Sequence, residues 1–229
     1  MMQRRTVLSS LVMLGGGMAV LPAWSAGLFS SKDATLALRT ALEKGAQSAV
    51  SQLGRKDGFL GNNQVRIGLP SMLEDASPLL RTLGKGAKLD ELITGMNRAA
   101  EQAVPLALPL LKSAIKSMSV TDAQQIITGG DTSVTEFFAG KTRQPLNDKF
   151  LPIVTKVTNR LALAQQYNAL AGKASGLGLL KPEQTTVQQY VTQKAMDGLF
   201  TVIGEQELLI RQDPVATGSA ILKKVFGSL

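Results

Sequence analysis

The sequence contains no cysteine and no histidine. A disulfide framework, a thiolate or imidazole metal centre, a haem iron on its usual ligands, a cysteine nucleophile and a Ser-His-Asp triad are therefore all excluded. Aromatic residues are also scarce, with seven Phe, two Tyr and one Trp among 229 residues. The core must be built from Leu, Ala, Val, Ile and Met, a composition that favours helices over sheets. The chain offers no long apolar run either. The best stretch, Val7 to Leu21, covers 15 residues and is broken by Gly15, Gly16 and Gly17. It is too short and too poor in helix formers for a stable membrane span.

What that stretch does resemble is an export leader. Arg4 and Arg5 supply a charged start, the apolar run follows, and Pro22-Ala23-Trp24-Ser25-Ala26 ends it with mostly small residues. The order Arg4-Arg5-Thr6-Val7-Leu8 resembles a twin-arginine signal, although a general secretory leader can also begin with two basic residues. Residues 1–26 are expected to be removed and residues 27–229 to form one periplasmic domain. No transmembrane helix is expected in the mature chain.

The whole chain has 25 Lys and Arg against 17 Asp and Glu. Loss of Arg4 and Arg5 leaves 23 basic and 17 acidic residues, a mature charge of about +6. In the periplasm this suggests an anionic lipid or another envelope component as partner, although a modest positive charge also serves solubility alone. Basic runs with interleaved aromatics are missing, so nucleic acid is not an expected partner.

Along the mature chain, Leu38, Leu42, Ala46, Ala49 and Leu53 recur at three and four residues, and Gly54 follows as a stop. Residues 55–70 change character. Lys56-Asp57-Gly58 and Gly61-Asn62-Asn63 are turn material, and Val65, Ile67 and Leu69 alternate with Arg66 and Gly68. At most a short extended segment or hairpin is expected there. Ser71 with Glu74, and Ser133 with Glu136, have capping-box spacing, and Ser119 with Asp122 opens a short helix ended by Gly129 and Gly130.

Leu92, Met96, Ala99, Ala103 and Val104 mark one face of a long helical region over 89–118, which Pro105 and Pro109 should bend or split. A further helix is expected from Gln144 to about Leu170 with a kink at Pro152, then a loop from Gly172 to Thr185. Val187, Tyr190 or Val191, Ala195, Leu199, Val202 and Leu209 form a sustained apolar face over 187–212, and Asp213-Pro214 starts a last helix that ends near Phe226-Gly227. The expected fold is all-α, a single-domain bundle of about seven helices, several kinked by proline.

Specific blocks of sequence add a resemblance. Met96-Asn97-Arg98-Ala99-Ala100-Glu101-Gln102-Ala103-Val104-Pro105, Asp122-Ala123, Gly129-Gly130-Asp131, Tyr190-Val191-Thr192 through Ala195, Asp197-Gly198-Leu199-Phe200, Ile210-Arg211 and Lys223-Lys224-Val225-Phe226-Gly227 span most of residues 31–227. In these the chain resembles a bacterial family known as domain-of-unknown-function family 4197. The resemblance implies an exported, mostly helical protein and brings no activity, cofactor or partner. The paired-arginine start is not part of it.

Few polar residues could carry chemistry. Asn97 and Glu101 lie one helical turn apart, with Arg98 three residues before Glu101, among small and apolar neighbours. They read as an ion pair and polar seam that fix helix register, or as a clamp in which Arg98 holds a carboxylate or phosphate and Glu101 is a general base. Asp197 and Glu205 punctuate an apolar helix, and Glu205 would form a site if it faced Arg98 across the bundle. Glu207 stands four residues before Arg211, the favourable order for a structural helical pair worth about 0.2–0.5 kcal/mol when exposed.

Gly130, Asp131 and Thr132 could cradle an anion at a helix start, or serve simply as a stop followed by a new cap. Gly140-Lys141-Thr142 looks like the end of a phosphate loop but fails, because Thr135 stands where the first glycine is required. No metal site, cofactor or assigned catalytic residue is expected. Ligand-binding candidates are Asn97, Arg98, Glu101, Asp197, Glu205 and Arg211. The favoured function is a periplasmic binding protein for an apolar or anionic envelope molecule. Next comes an envelope interaction or structural protein without a small ligand, then a carboxylate-based hydrolase using Glu101, Asp131, Asp197 or Glu205.

Overall fold

The computed structural model describes residues 31–176 and 186–213. The leader expected at 1–26 and the helix expected after Asp213 lie outside the described residues. Within them are eight α-helices and one 3₁₀ turn, and no strand. They are α1 (Ser31–Leu53), α2 (Ser71–Thr82), α3 (Gly86–Ala103), the 3₁₀ turn Val104–Leu106, α4 (Ala107–Lys116), α5 (Val120–Thr128), α6 (Ser133–Thr158), α7 (Ala162–Gly176) and α8 (Val187–Gln212).

The periodic faces are the buried ones. Leu38, Leu42, Ala46, Ala49 and Leu53 of α1, and Leu92, Met96, Ala99 and Ala103 of α3, are nearly or wholly inaccessible and join one core with the inner faces of α4, α6 and α8. The long helices α6 and α8 pack together at the centre, with α3 against α6 and α1 against α8 and α4. Alanines at 99, 100, 103 and 107 are fully buried and let neighbouring backbones approach closely.

Several expected boundaries move, each for a local reason. Pro105 sits in the 3₁₀ turn that separates α3 from α4, as its missing amide requires, whereas Pro109 fits in the first turn of α4, where no intrahelical donor is lost. The segment expected to start anew at Gln144 is instead the middle of α6, which runs through Pro145 and Pro152 with Leu146, Phe150 and Val154 buried on either side. The break comes at Asn159–Leu161. The loop expected from Gly172 starts later, since α7 continues to Gly176, and its remaining residues up to 185 lie outside the described residues. In α8, Leu209 is exposed and Ile210 takes the inward position.

Capping also differs. Ser119 and Asp122 form the reciprocal box, whereas α2 is preceded by Pro70 with no side-chain cap. At its other end α2 closes with Gly84 at φ +72, the Lys85 amide donating to the Leu80 carbonyl and the Gly84 amide to Arg81. That is a Schellman stop, and it needs the left-handed conformation glycine supplies.

Between α1 and α2, residues 54–70 form a strap of turns and extended chain. Val65, Ile67 and Leu69 are buried and Arg66 and Gly68 exposed, the alternation of a strand, yet no strand lies beside it. Side chains hold it in place of a ladder. No single helix among the described residues is long and apolar enough to cross a membrane.

Candidate functional site

Asn97 is completely buried on α3. Its Oδ1 accepts from the Ile67 amide at 2.9 Å, and its Nδ2 donates to the Ile67 and Ile93 carbonyls at 2.8 Å. One turn further on, Glu101 Oε1 accepts from the Phe59 and Leu60 amides at 3.1 and 3.2 Å. The other oxygen receives Arg98 Nη1 at 2.6 Å, while Arg98 Nη2 reaches Asp57 Oδ1 at 2.7 Å. Hydrogen bonds to Glu101 and then to Asp57 raise the guanidinium's pKa above its ordinary value. The Asn97, Arg98 and Glu101 side chains thus hold the strap against α3 at the 57–60 turn and again at Ile67. Tyr190 of α8 secures its end by donating to the Gly68 and Leu69 carbonyls, and burial pushes that phenol's pKa upward.

Glu205 does not face Arg98, whose donors are taken by Asp57 and Glu101. It is half-buried on α8, with Oε1 shielded from water and without a hydrogen-bond partner among the described residues. Asp197 stands apart from both, near the surface, where it accepts from Arg143 at 3.1 Å and Gln193 at 2.9 Å, and Arg143 also lies over the Phe200 ring.

A second cluster gathers Glu207, Arg211, Ser133 and the starts of α6 and α8's last turns. Glu207 is buried, not exposed as a surface helical pair would be. It accepts from the Val134 amide at 3.1 Å and the Thr135 amide at 3.3 Å, and from Arg211 Nη2 at 2.9 Å. Arg211 Nη2 also donates to Ser133 Oγ and the Ile126 carbonyl. Glu207 therefore supplies the anion that the start of α6 attracts.

That placement bears directly on Gly130, Asp131 and Thr132. They adjoin the start of α6 as expected, and Gly130 and Thr132 line an open cleft of about 620 Å³ with Glu136, Phe137 and Lys141. The first-turn amides are nevertheless all occupied: Ser133 donates to the Gly130 carbonyl, Val134 and Thr135 to Glu207, and Glu136 to the Thr132 carbonyl. The Ser133–Glu136 box does not form, since Ser133 Oγ serves the Glu207–Arg211 cluster and Glu136 takes the Thr132 hydroxyl at 2.9 Å.

With this geometry in place, comparison with family models returns one described as a protein of unknown function, DUF4197, over residues 28–227. The chain belongs to this family. Comparison with curated proteins gives no match, and neither does comparison with solved structures. Three of the sequence blocks that carry the DUF4197 resemblance fall on the two clusters: Asn97 to Glu101 hold the strap, while Gly129 to Asp131 and Ile210-Arg211 adjoin the α5–α6–α8 junction; the block Lys223 to Gly227 lies outside the described residues.

Sequence reading missed one surface feature of this DUF4197 chain. Between α1 and α4 runs an open groove of about 500 Å³ lined by Leu36, Arg39, Glu43, Pro109, Lys112 and Lys116. A pair of lysines four apart near a helix end was its only local signal, because α1 and α4 are distant in sequence. Among the described residues no three carboxylates gather in the manner of a metal site.

Proposed function

We propose that this chain is an exported, non-catalytic binding protein of the cell envelope that takes an anionic or apolar envelope molecule on its outer surface. One observation carries the reading. The two buried carboxylates are already bonded to the chain itself: Glu101 to the strap amides and Arg98, Glu207 to the α6 amides and Arg211. A carboxylate acting as general base needs an oxygen free to take a proton from water or substrate, and these have none to spare. The core is packed mainly with aliphatic side chains, and what is left to meet a ligand is a set of open clefts on a mature chain whose charge is about +6.

The leader-like start at Arg4 to Ala26 supports a periplasmic setting. A second reading, an interaction protein without a small ligand, draws on Leu79 of α2 and Leu83 just beyond its end, which stand four residues apart and about two-thirds exposed. Native mass spectrometry of protein drawn from its own periplasm tests the choice. An added mass of lipid or small-anion size supports the binding reading; a bare chain, or a second polypeptide in its place, contradicts it.

A further inference from the structure

Resting on that reading and deepening it, we propose that the groove between α1 and α4 binds the phosphate headgroup of an anionic phospholipid at a membrane surface. Arg39 and Leu36 come from one side of α1, three residues apart, and Pro109, Lys112 and Lys116 from one side of α4. Three cations face a single carboxylate, Glu43. Neither lysine takes part in an ion pair among the described residues, and like charges four apart on a helix repel each other. The carbonyl end of α4 explains a cation at Lys116 in the last turn; it does not explain Lys112 a turn earlier.

Arg39 makes the groove more than a patch of surface charge. One terminal nitrogen donates to the Met118 carbonyl just beyond α4, which ties the guanidinium across the groove. Its Nε is shielded from water and has no acceptor among the described residues. An anionic oxygen seated between Arg39 and the two lysines would meet the charge of the anchored guanidinium and of both ammonium groups.

The apolar rim selects among anions. Leu36 at the mouth is 64% exposed and Pro109 is exposed beside it. A free phosphate would leave both facing water, and the open groove could not surround so small an ion. A headgroup still attached to its glycerol and acyl chains would sit its phosphate among the cations and lay apolar atoms against Leu36 and Pro109.

Flotation of the purified mature chain, residues 27–229, with vesicles provides the test, comparing phosphatidylcholine alone with phosphatidylcholine containing phosphatidylglycerol. Wild-type protein should float with the anionic vesicles only. Lys112→Glu/Lys116→Glu should lose binding by about tenfold or more, and Lys112→Gln/Lys116→Gln by a smaller factor, with wild-type circular dichroism. The exposed pair Lys85→Glu/Lys88→Glu changes net charge equally outside the groove and should bind nearly as wild type.

Equal loss in both reversed pairs would overturn the site, since net charge would then suffice. So would equal flotation with both vesicle types, or saturable binding of inorganic phosphate without flotation. Should native mass spectrometry find a small co-purifying molecule while flotation fails, this site falls and the broader binding reading stands.

Discussion

A carboxamide presents a donor and an acceptor in one plane, the same pair that a backbone offers along a β-ladder. Asn97 uses this likeness to hold both backbone groups of Ile67, which is why the strap can alternate buried and exposed side chains with no strand beside it. Asn97→Ala leaves those groups buried and unpaired and should cost about 1–3 kcal/mol in urea unfolding; a change under about 0.5 kcal/mol, the range of surface substitutions, would contradict the role. The polar character of Asn97, Arg98 and Glu101 on an alanine-rich helix is plain in the sequence, and so is the register-fixing reading. Their partners are not. Glu101 and Asn97 bind main-chain amides 30 to 42 residues away, and main-chain groups leave no mark in a residue string.

Helical elements show the same division between local and distant causes. Three Ser-x-x-acid motifs have the same spacing, but only Ser119-x-x-Asp122 closes its box, because Pro70 precedes Ser71 and Glu207 reaches the start of α6 first. Bonds from the Ser119 amide and hydroxyl hold the Asp122 carboxyl below its ordinary pKa of 3.8. A carboxyl so lowered stabilises the fold at pH above 3.8, and the effect fades as pH falls through the lowered native value. Asp122→Asn should therefore be less stable than wild type at neutral pH, with the gap closing below pH 3.8; a gap that stays constant in acid would contradict this.

Gly198 illustrates a packing demand that spacing does not reveal. A Cβ there would lie 2.7 Å from Phe59 Cε1 and 3.2 Å from Val65 Cβ, so the glycine forms the notch in α8 that admits the strap. Gly198→Ala should cost about 1–3 kcal/mol by thermal or urea unfolding despite alanine's better helix propensity. A stabilised variant would show that the notch is not needed.

At the scale of the whole molecule, apolar spacing makes the all-α class and most of the core legible, since burial follows period wherever a helix has one inner face. Two features escape it. The 26-residue α6 carries Pro145 and Pro152 because packing on both sides outweighs the lost donors. The cationic groove exists only where α1 meets α4. The proposed export makes a prediction of its own: Trp24 is the only tryptophan, so protein cleaved beyond it should show no tryptophan emission, and retained emission would mean an uncut or earlier-cut leader.

The claim beneath all of these is that charges inside the bundle brace the chain, leaving recognition to the surface. Urea unfolding of Glu207→Ala tests it most directly, for that change strands Arg211 and the α6 amides together. The expected result is a loss of about 3–5 kcal/mol, the cost of breaking a buried ion pair by removing one partner. A variant as stable as wild type would contradict the claim, showing that the buried carboxylate is kept for something other than holding α6 to α8.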